Sequence, residues 1–258
     1  MRIVVLVKEV PDTYGDRKID LETGLADRTA SDAVLDEISE RAVEFAIAHA
    51  EKNPGTEVVT LMMGPSTAEA TLRKTLALGA DSAVQIVDDG LVGADLVLTA
   101  ETIAAELRRG GFDLVVAGNR STDGGGGVIP AMLAELLQTP SATNLDSATL
   151  EGTVLTGTRT TDGGTEDVSL PLPAIISVSE RMPEARFPNF KGIMAAKKKP
   201  LETVDLAALD VVADDGVTAH SIVVAAAARP ARAAGTKIID EGDAGTKLAE
   251  YLVQNRLA

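Results

Sequence analysis

The chain has 258 residues, 45% of them hydrophobic, enough for one large or two modest domains with a substantial core. Aromatics make up only 2% and Trp is absent, so that core must be assembled mainly from Ala, Val, Leu and Ile. Absence of Cys removes disulfides, thiolate nucleophiles, iron–sulfur ligation and Cys-based zinc sites, and a net charge of −15 argues against a nucleic-acid or anionic-membrane surface.

The opening MRIVVLVKEV carries a continuous apolar run, Ile3 to Val7, and predicts a buried strand over Arg2–Val10. It is too short and wrongly flanked for a signal peptide, and no apolar run approaches the ~20 residues of a membrane span. A soluble cytoplasmic protein is the expectation. A polar, Asp-rich segment follows from Pro11 to about Ser31. Val34, Leu35, Ile38, Ala42, Phe45, Ala46 and His49 then recur at helical spacing and predict a helix over Val34–Lys52. Glu57–Met63 is a second strand. Gly64-Pro65-Ser66-Thr67 ends it, with Ser66 or Thr67 as N-cap of a helix whose inner side carries Leu72, Leu76 and Leu78 and which Gly79 stops. Ser82–Val87, Leu96–Arg108 and Phe112–Ala117 continue as strand, helix, strand. The sequence GNRSTDGGGGVIPAMLAELL, residues 118 to 137, then leads into a helix ending near Gln138.

Strand and helix alternate throughout this half, which predicts an α/β fold: a Rossmann-like parallel sheet of the adenine-nucleotide-binding type. In such sheets ligands lie beyond the carboxyl ends of strands, at a topological switch point. Four consecutive glycines have two readings, a pliable strand-to-helix connection or an anion cradle of bare amides at a helix N-terminus. Their place just after a strand and just before a helix favours the cradle. Asp123 beside them repels phosphate unless it is turned aside, as an N-cap would be. No Walker lysine follows the glycines, so phosphoryl transfer is not expected.

The second half changes character. Thr153–Thr160 and Glu166–Leu170, joined by the turn Thr161-Asp162-Gly163-Gly164, read as an antiparallel ribbon, with Ala174–Ser179 continuing it. Two of the four Phe, Phe187 and Phe190, lie in the segment Arg181–Pro200, with Arg186, Ile193, Met194 and the lysines Lys197, Lys198 and Lys199. This is either a loop folded onto its own core or a presented interaction anchor with basic neighbours suited to an acidic partner. Beyond Leu201 the chain is rich in Asp and Ala, Ala225–Ala234 is low in complexity, and a short amphipathic helix over about Ala244–Arg256 ends the sequence. The two histidines, His49 on a helix and His220 in a loop, have no partner at catalytic or metal-ligating spacing, and both read as structural. No catalytic residue and no metal site emerge.

Several stretches together resemble the beta subunit of the electron transfer flavoprotein: IVVLVKEVPDT at 3 to 13, LDEISERAVEFA at 35 to 46, LALGAD at 76 to 81, DLVVAGNRSTDG at 113 to 124 and, most distinctive, RFPNFKGIMAAKKKP at 186 to 200. The resemblance covers about residues 2 to 205 and continues weakly through the tail. It implies a non-enzymatic electron carrier paired with an alpha subunit. That subunit holds most of a redox-active FAD, and AMP is buried structurally in the glycine-loop site of this chain. It further implies a loop over residues 181–200 that docks onto acyl-CoA and related dehydrogenases, a membrane quinone reductase as acceptor, and a C-terminal arm, residues 206–258, that wraps the alpha subunit. Residues 1–205 would form the nucleotide-binding domain. Carried over residue by residue, Leu6, Asp36 to Ser39, Met63 and the run Thr122, Asp123, Gly124, Gly125, Gly126, Gly127, Val128 and Ile129 match the nucleotide contacts. Tyr14 lies in the segment approaching the flavin, and Phe190 falls at the hydrophobic recognition anchor. Many relatives have Asn-Pro-Phe where this chain has Asp36-Glu37-Ile38, and Gln where it has Val128. Side-chain contacts to the nucleotide therefore differ here, while amide contacts from Gly125 to Ile129 survive. A second FAD in this site, as in electron-bifurcating members, is the alternative to AMP. A stand-alone nucleotide-binding regulatory protein has no use for the Phe- and Lys-bearing loop, and a hydrolase would lack catalytic residues.

Overall fold

The computed structural model describes residues 1–213, 221–232 and 234–257. From the N-terminus, β1 (Arg2–Leu6) is followed by four short strands, β2 (Glu9–Pro11), β3 (Lys18–Ile19), β4 (Ala26–Asp27) and β5 (Ala33–Leu35). Then come α1 (Glu37–Lys52), β6 (Glu57–Met63), α2 (Glu69–Leu78), β7 (Ser82–Ile86), α3 (Leu96–Gly110), β8 (Leu114–Gly118) and α4 (Ile129–Leu137). The rest comprises β9 (Ser141–Leu145), β10 (Ser147–Glu151), β11 (Val154–Thr161), β12 (Gly164–Pro171), β13 (Ala174–Val178), α5 (Phe190–Ala196), β14 (Leu201–Val204) and α6 (Ala244–Gln254). Residues 1–225 form one compact unit, and residues 226–258 form a second that holds α6.

Seven strands make one parallel sheet in the order β14-β7-β6-β1-β8-β13-β9. Its central strands are apolar runs because helices cover both faces. Ile3 and Val5 of β1 face one side, where Ala42, Val43 and Ala46 of α1 and Leu72 and Leu76 of α2 pack with Met62 and Val116. Val4 faces the other side, with Ala100, Ile103, Ala104 and Leu107 of α3 and Leu133 of α4. The alternation along β1 thus decides which helix pair each side chain meets. Small alanines at these contacts let the helices close on the sheet without aromatic bulk.

Several elements differ from the sequence expectation. The first strand stops at Leu6, and Glu9–Pro11 pairs instead with residues 33–35 as an antiparallel ladder. Val34 and Leu35 therefore belong to a strand, and the helix begins only after Asp36, whose side chain caps it. Neither Ser66 nor Thr67 caps α2. They lie in a 3-10 turn, Ser66–Ala68, and the helix starts from Ala68 without a side-chain cap. Ala174–Val178 does not continue the ribbon: all five residues are buried, and the strand runs parallel between β8 and β9 in the main sheet. The ribbon gains β10 and becomes a three-stranded antiparallel sheet, β10-β11-β12. Gly79 does end α2, at φ 147°. His49 sits at the core edge on α1, where burial pushes its imidazole below the usual range. His220 lies outside the described residues, and Ala225–Ala234 carries no regular element among its described residues.

Candidate nucleotide site and docking loop

The chain runs from β1 outward to β6 and β7, then returns through α3 to β8 on the other side of β1. The crevice between the carboxyl ends of β1 and β8 is the switch point of the sheet. Gly118 ends β8 there because α1 passes close: a Cβ would lie 3.1 Å from Ile38 Cγ2 and 3.3 Å from the Ile38 carbonyl carbon. Asn119 follows, buried, with an Oδ1 that has no hydrogen-bond partner among the described residues.

The four glycines have different reasons to be there. Gly125 and Gly127 adopt left-handed φ of 64° and 68°, and a Cβ at Gly127 would also lie 3.1 Å from the Asn119 carbonyl oxygen. Gly124 donates to Ser121 Oγ at 3.3 Å and to Asp123 Oδ1 at 2.6 Å, and Gly125 donates to the Ser121 carbonyl at 3.0 Å. A Cβ on Gly126 would make only an ordinary van der Waals contact, 3.9 Å from Leu96 Cδ2. Among the described residues the amides of Gly126, Gly127 and Val128 donate to no acceptor. They precede α4, whose N-cap Val128 supplies no side-chain bond and whose first turn contains Pro130. Unspent donors and a helix N-terminus converge, which is the electrostatics an anion requires.

Asp36 holds this loop in place. Only 1% exposed, its carboxylate accepts from the amides of Ile38 and Ser39 at 3.0 and 3.2 Å through Oδ1, and from the Thr122 amide and hydroxyl at 2.8 and 3.1 Å through Oδ2. One side chain thus caps α1 and pins the loop after β8. All four of these bonds go to protein groups, so Asp36 positions the loop.

Asp123 is not the cap of α4. Its carboxylate turns to Lys8 Nζ at 2.7 Å and Arg28 Nη2 at 3.3 Å. Burial pushes the carboxyl up, but hydrogen bonds from Lys8 and Ser121, the Lys8 charge and the Gly124 amide outweigh it and hold the group at about 2. Arg17 donates to the Thr122 carbonyl. The expected repulsion of phosphate by Asp123 is therefore neutralised by the cations around it.

Of the other expected contacts, Leu6 and Met63 end β1 and β6, each half-buried at the carboxyl edge of the sheet. Ser39 is buried in the first turn of α1, and Val128 and Ile129 enter α4. Tyr14 is fully exposed in a turn closed on Asp12. Among the described residues, no group of three His, Cys, Asp or Glu side chains is arranged to hold a metal, and no helix is long and apolar enough to cross a membrane.

In the segment 181–200, Phe187 and Phe190 are 95% and 80% exposed, and Ile193, Met194, Lys197 and Lys198 are exposed beside them. The loop contains a helix the sequence reading had not anticipated, α5, capped by Asn189 Oδ1 accepting from the Gly192 amide at 2.8 Å. Arg186 and Lys199 turn inward onto neighbouring helices.

Residues 23–209 match the family model described as the electron transfer flavoprotein domain. The chain is 46% identical over 262 residues to the electron transfer flavoprotein subunit beta of Mycobacterium tuberculosis (strain ATCC 25618 / H37Rv), a match spanning 99% of this chain and 98% of that protein. The chain belongs to the electron transfer flavoprotein beta-subunit family. It is also 34% identical to the subunit beta of Syntrophomonas wolfei, over 98% of this chain and 96% of the relative. To the caffeyl-CoA reductase-Etf complex subunit CarD of Acetobacterium woodii it is 34% identical, over 78% of this chain and 77% of the relative.

Three residues at the candidate site were not singled out from the sequence: Lys8, Arg28 and Asn119. Lys8 was visible only as the polar end of a strand run, and Arg28 lies in a segment without periodicity. Asn119 lies in DLVVAGNRSTDG, and a polar residue directly after a strand at a switch point is the signal that would have found it.

Proposed function

We propose that the chain is the beta subunit of a heterodimeric electron carrier, with no catalytic residue of its own, that binds AMP at the glycine loop and helps its alpha subunit enclose an FAD. The observation that carries this reading is the set of unpaired amides at Gly126 to Val128 beside the orphaned Asn119 Oδ1. The amides and the N-terminus of α4 suit a phosphate, and Asn119 Oδ1 suits a donor on the nucleotide. Lys8 and Arg28 hold Asp123 away from the phosphate, and Asp36 keeps the loop closed on α1. AMP would act structurally, while the FAD supplies the redox chemistry of the heterodimer.

Electrons would come from acyl-CoA and related dehydrogenases, docking at Phe187, Phe190, Ile193 and Met194, and pass to a membrane quinone reductase. Exposed aromatics flanked by Lys197 and Lys198 on an otherwise acidic protein support that role. Residues 206–258 would embrace the alpha subunit, and the complex would work in the cytoplasm. The second reading, an electron-bifurcating subunit with FAD in place of AMP, fits the same amides. Releasing the nucleotides of the co-expressed heterodimer by denaturation and separating them by chromatography tests the choice. One FAD and one AMP per heterodimer are expected, with no stoichiometric FAD on this chain purified alone. Two FAD and no AMP would overturn the assignment.

A further inference from the structure

The docking loop hangs between two helices. Arg41 of α1 donates to the Met182 carbonyl at its start. Arg186 then forks across two carboxylates of α1, seven residues apart on one face. Its Nε and Nη2 reach Glu44 at 2.8 and 2.9 Å, and Nη1 and Nη2 reach Glu51 at 2.5 and 3.0 Å. Its backbone amide also donates to Glu44, at 3.1 Å.

The far end belongs to α2. Lys199 Nζ donates to the carbonyls of Leu76, Gly79 and Ala80 at 3.1, 3.2 and 2.5 Å, at the helix C-terminus where a cation is favoured. Arg73 donates to the Ala196 carbonyl at 3.3 Å. Between the straps α5 lies directly on α2. A Cβ on Gly192 would stand 2.4 Å from the Ala77 carbonyl oxygen, so this approach requires glycine.

We infer that Arg186, clamped by Glu44 and Glu51, together with Gly192 and Lys199, forms a two-ended strap that preorganises Phe187 and Phe190 for an electron-donating dehydrogenase, making these five strap residues positioning elements of docking. The inference rests on the docking role proposed above for the same loop. An unstrapped loop would have to order its backbone at the moment of association, and its Phe side chains would be free to fold back onto local apolar surface. The strap spends that entropy in folding. Arg suits the clamp because its planar guanidinium makes two bonds to each of the two carboxylates, more than the three N–H donors of an ammonium can supply.

The test is steady-state reduction of the heterodimer by an acyl-CoA dehydrogenase supplied with its acyl-CoA, at varied heterodimer concentration. Arg186→Ala is expected to raise the apparent KM about five- to tenfold, with kcat within about twofold and FAD and AMP contents at wild-type levels. Arg186→Lys should remain impaired. The double variant Arg186→Ala/Phe190→Ala should be little worse than Phe190→Ala alone, because the strap acts through the anchor. An unchanged KM in Arg186→Ala, or fully additive losses in the double variant, overturns the strap while Phe190→Ala still upholds the docking role. An unchanged KM in Phe190→Ala itself overturns the docking role and the strap with it. Should Arg186→Ala fail to assemble, Gly192→Ala, which lifts α5 from α2, must show the same rise in KM with unchanged kcat, and its absence overturns the inference.

Discussion

Replacing Asp36 with Ala removes one carboxylate from two jobs. Loss of the cap on α1 costs about 0.5–2 kcal/mol. The Thr122 amide, part-buried, also loses the acceptor it meets at 2.8 Å, and an unsatisfied donor costs about 1–3 kcal/mol. The Thr122 hydroxyl can rotate to another partner, so it adds little. Together the loss is about 3 kcal/mol, which for a chain of this size lowers the unfolding midpoint by roughly 6–12 °C. Asp36→Asn should fall between: its amide oxygen can keep the cap on α1, but its NH2 then faces the Thr122 N–H, donor against donor. Thermal unfolding of the heterodimer, with nucleotide content measured after desalting, reads both effects. Asp36→Ala should lose stability and bound AMP together, because release of Thr122 loosens the loop that presents the amides. An Asp36→Ala heterodimer that melts within about 1 °C of wild type and keeps its nucleotide would refute the assignment of Asp36 as the pin of the loop.

Gly126→Asp places a carboxylate at an exposed position of the loop and should reduce AMP content and assembly with the alpha subunit; normal AMP content would put the phosphate elsewhere. Phe190→Ala forfeits roughly 1.5–3 kcal/mol of burial at a partner pocket, so electron acceptance from an acyl-CoA dehydrogenase should weaken about tenfold or more, with the flavin spectrum and AMP content unchanged. Asp123 supplies a pH test. Its carboxyl is held at about 2, below the ordinary 3.8, so its contribution to stability is fully present above about pH 4 and is lost as pH falls through about 2. Asp123→Asn should therefore be less stable than wild type at neutral pH, and the two should converge as acid unfolding is followed to pH 2; a constant difference across that range would refute the ion-pair account.

How much of this was legible in the sequence depends on the range of the interaction. The parallel α/β class, the strand at Glu57–Met63 and the stop at Gly79 follow from periodicity and from local backbone chemistry, both written in adjacent residues. The glycine loop was legible as a candidate site because it stands between a strand and a helix at the carboxyl edge of a parallel sheet. The Phe- and Lys-bearing stretch from Arg186 to Pro200 stood out by composition alone as a candidate interaction loop. Tertiary structure decided the rest. Val34 and Leu35 fit a helical stripe equally well, and only the partner strand at Glu9–Pro11 made them a strand. Ala174–Val178 reads alike as a ribbon edge or a buried parallel strand until β8 and β9 flank it on both sides. Asp123 next to four glycines suggests a cap, yet Lys8 and Arg28, 115 and 95 residues distant, claim its carboxylate. Arg186 and Lys199 read as contacts for a partner, and the fold turned both inward, because α1 offers two carboxylates on one face and α2 offers bare carbonyls at its end. Local propensity and pattern are carried by neighbours in sequence; the choice of partner for a charge or a strand edge is carried by residues that only the fold brings within reach.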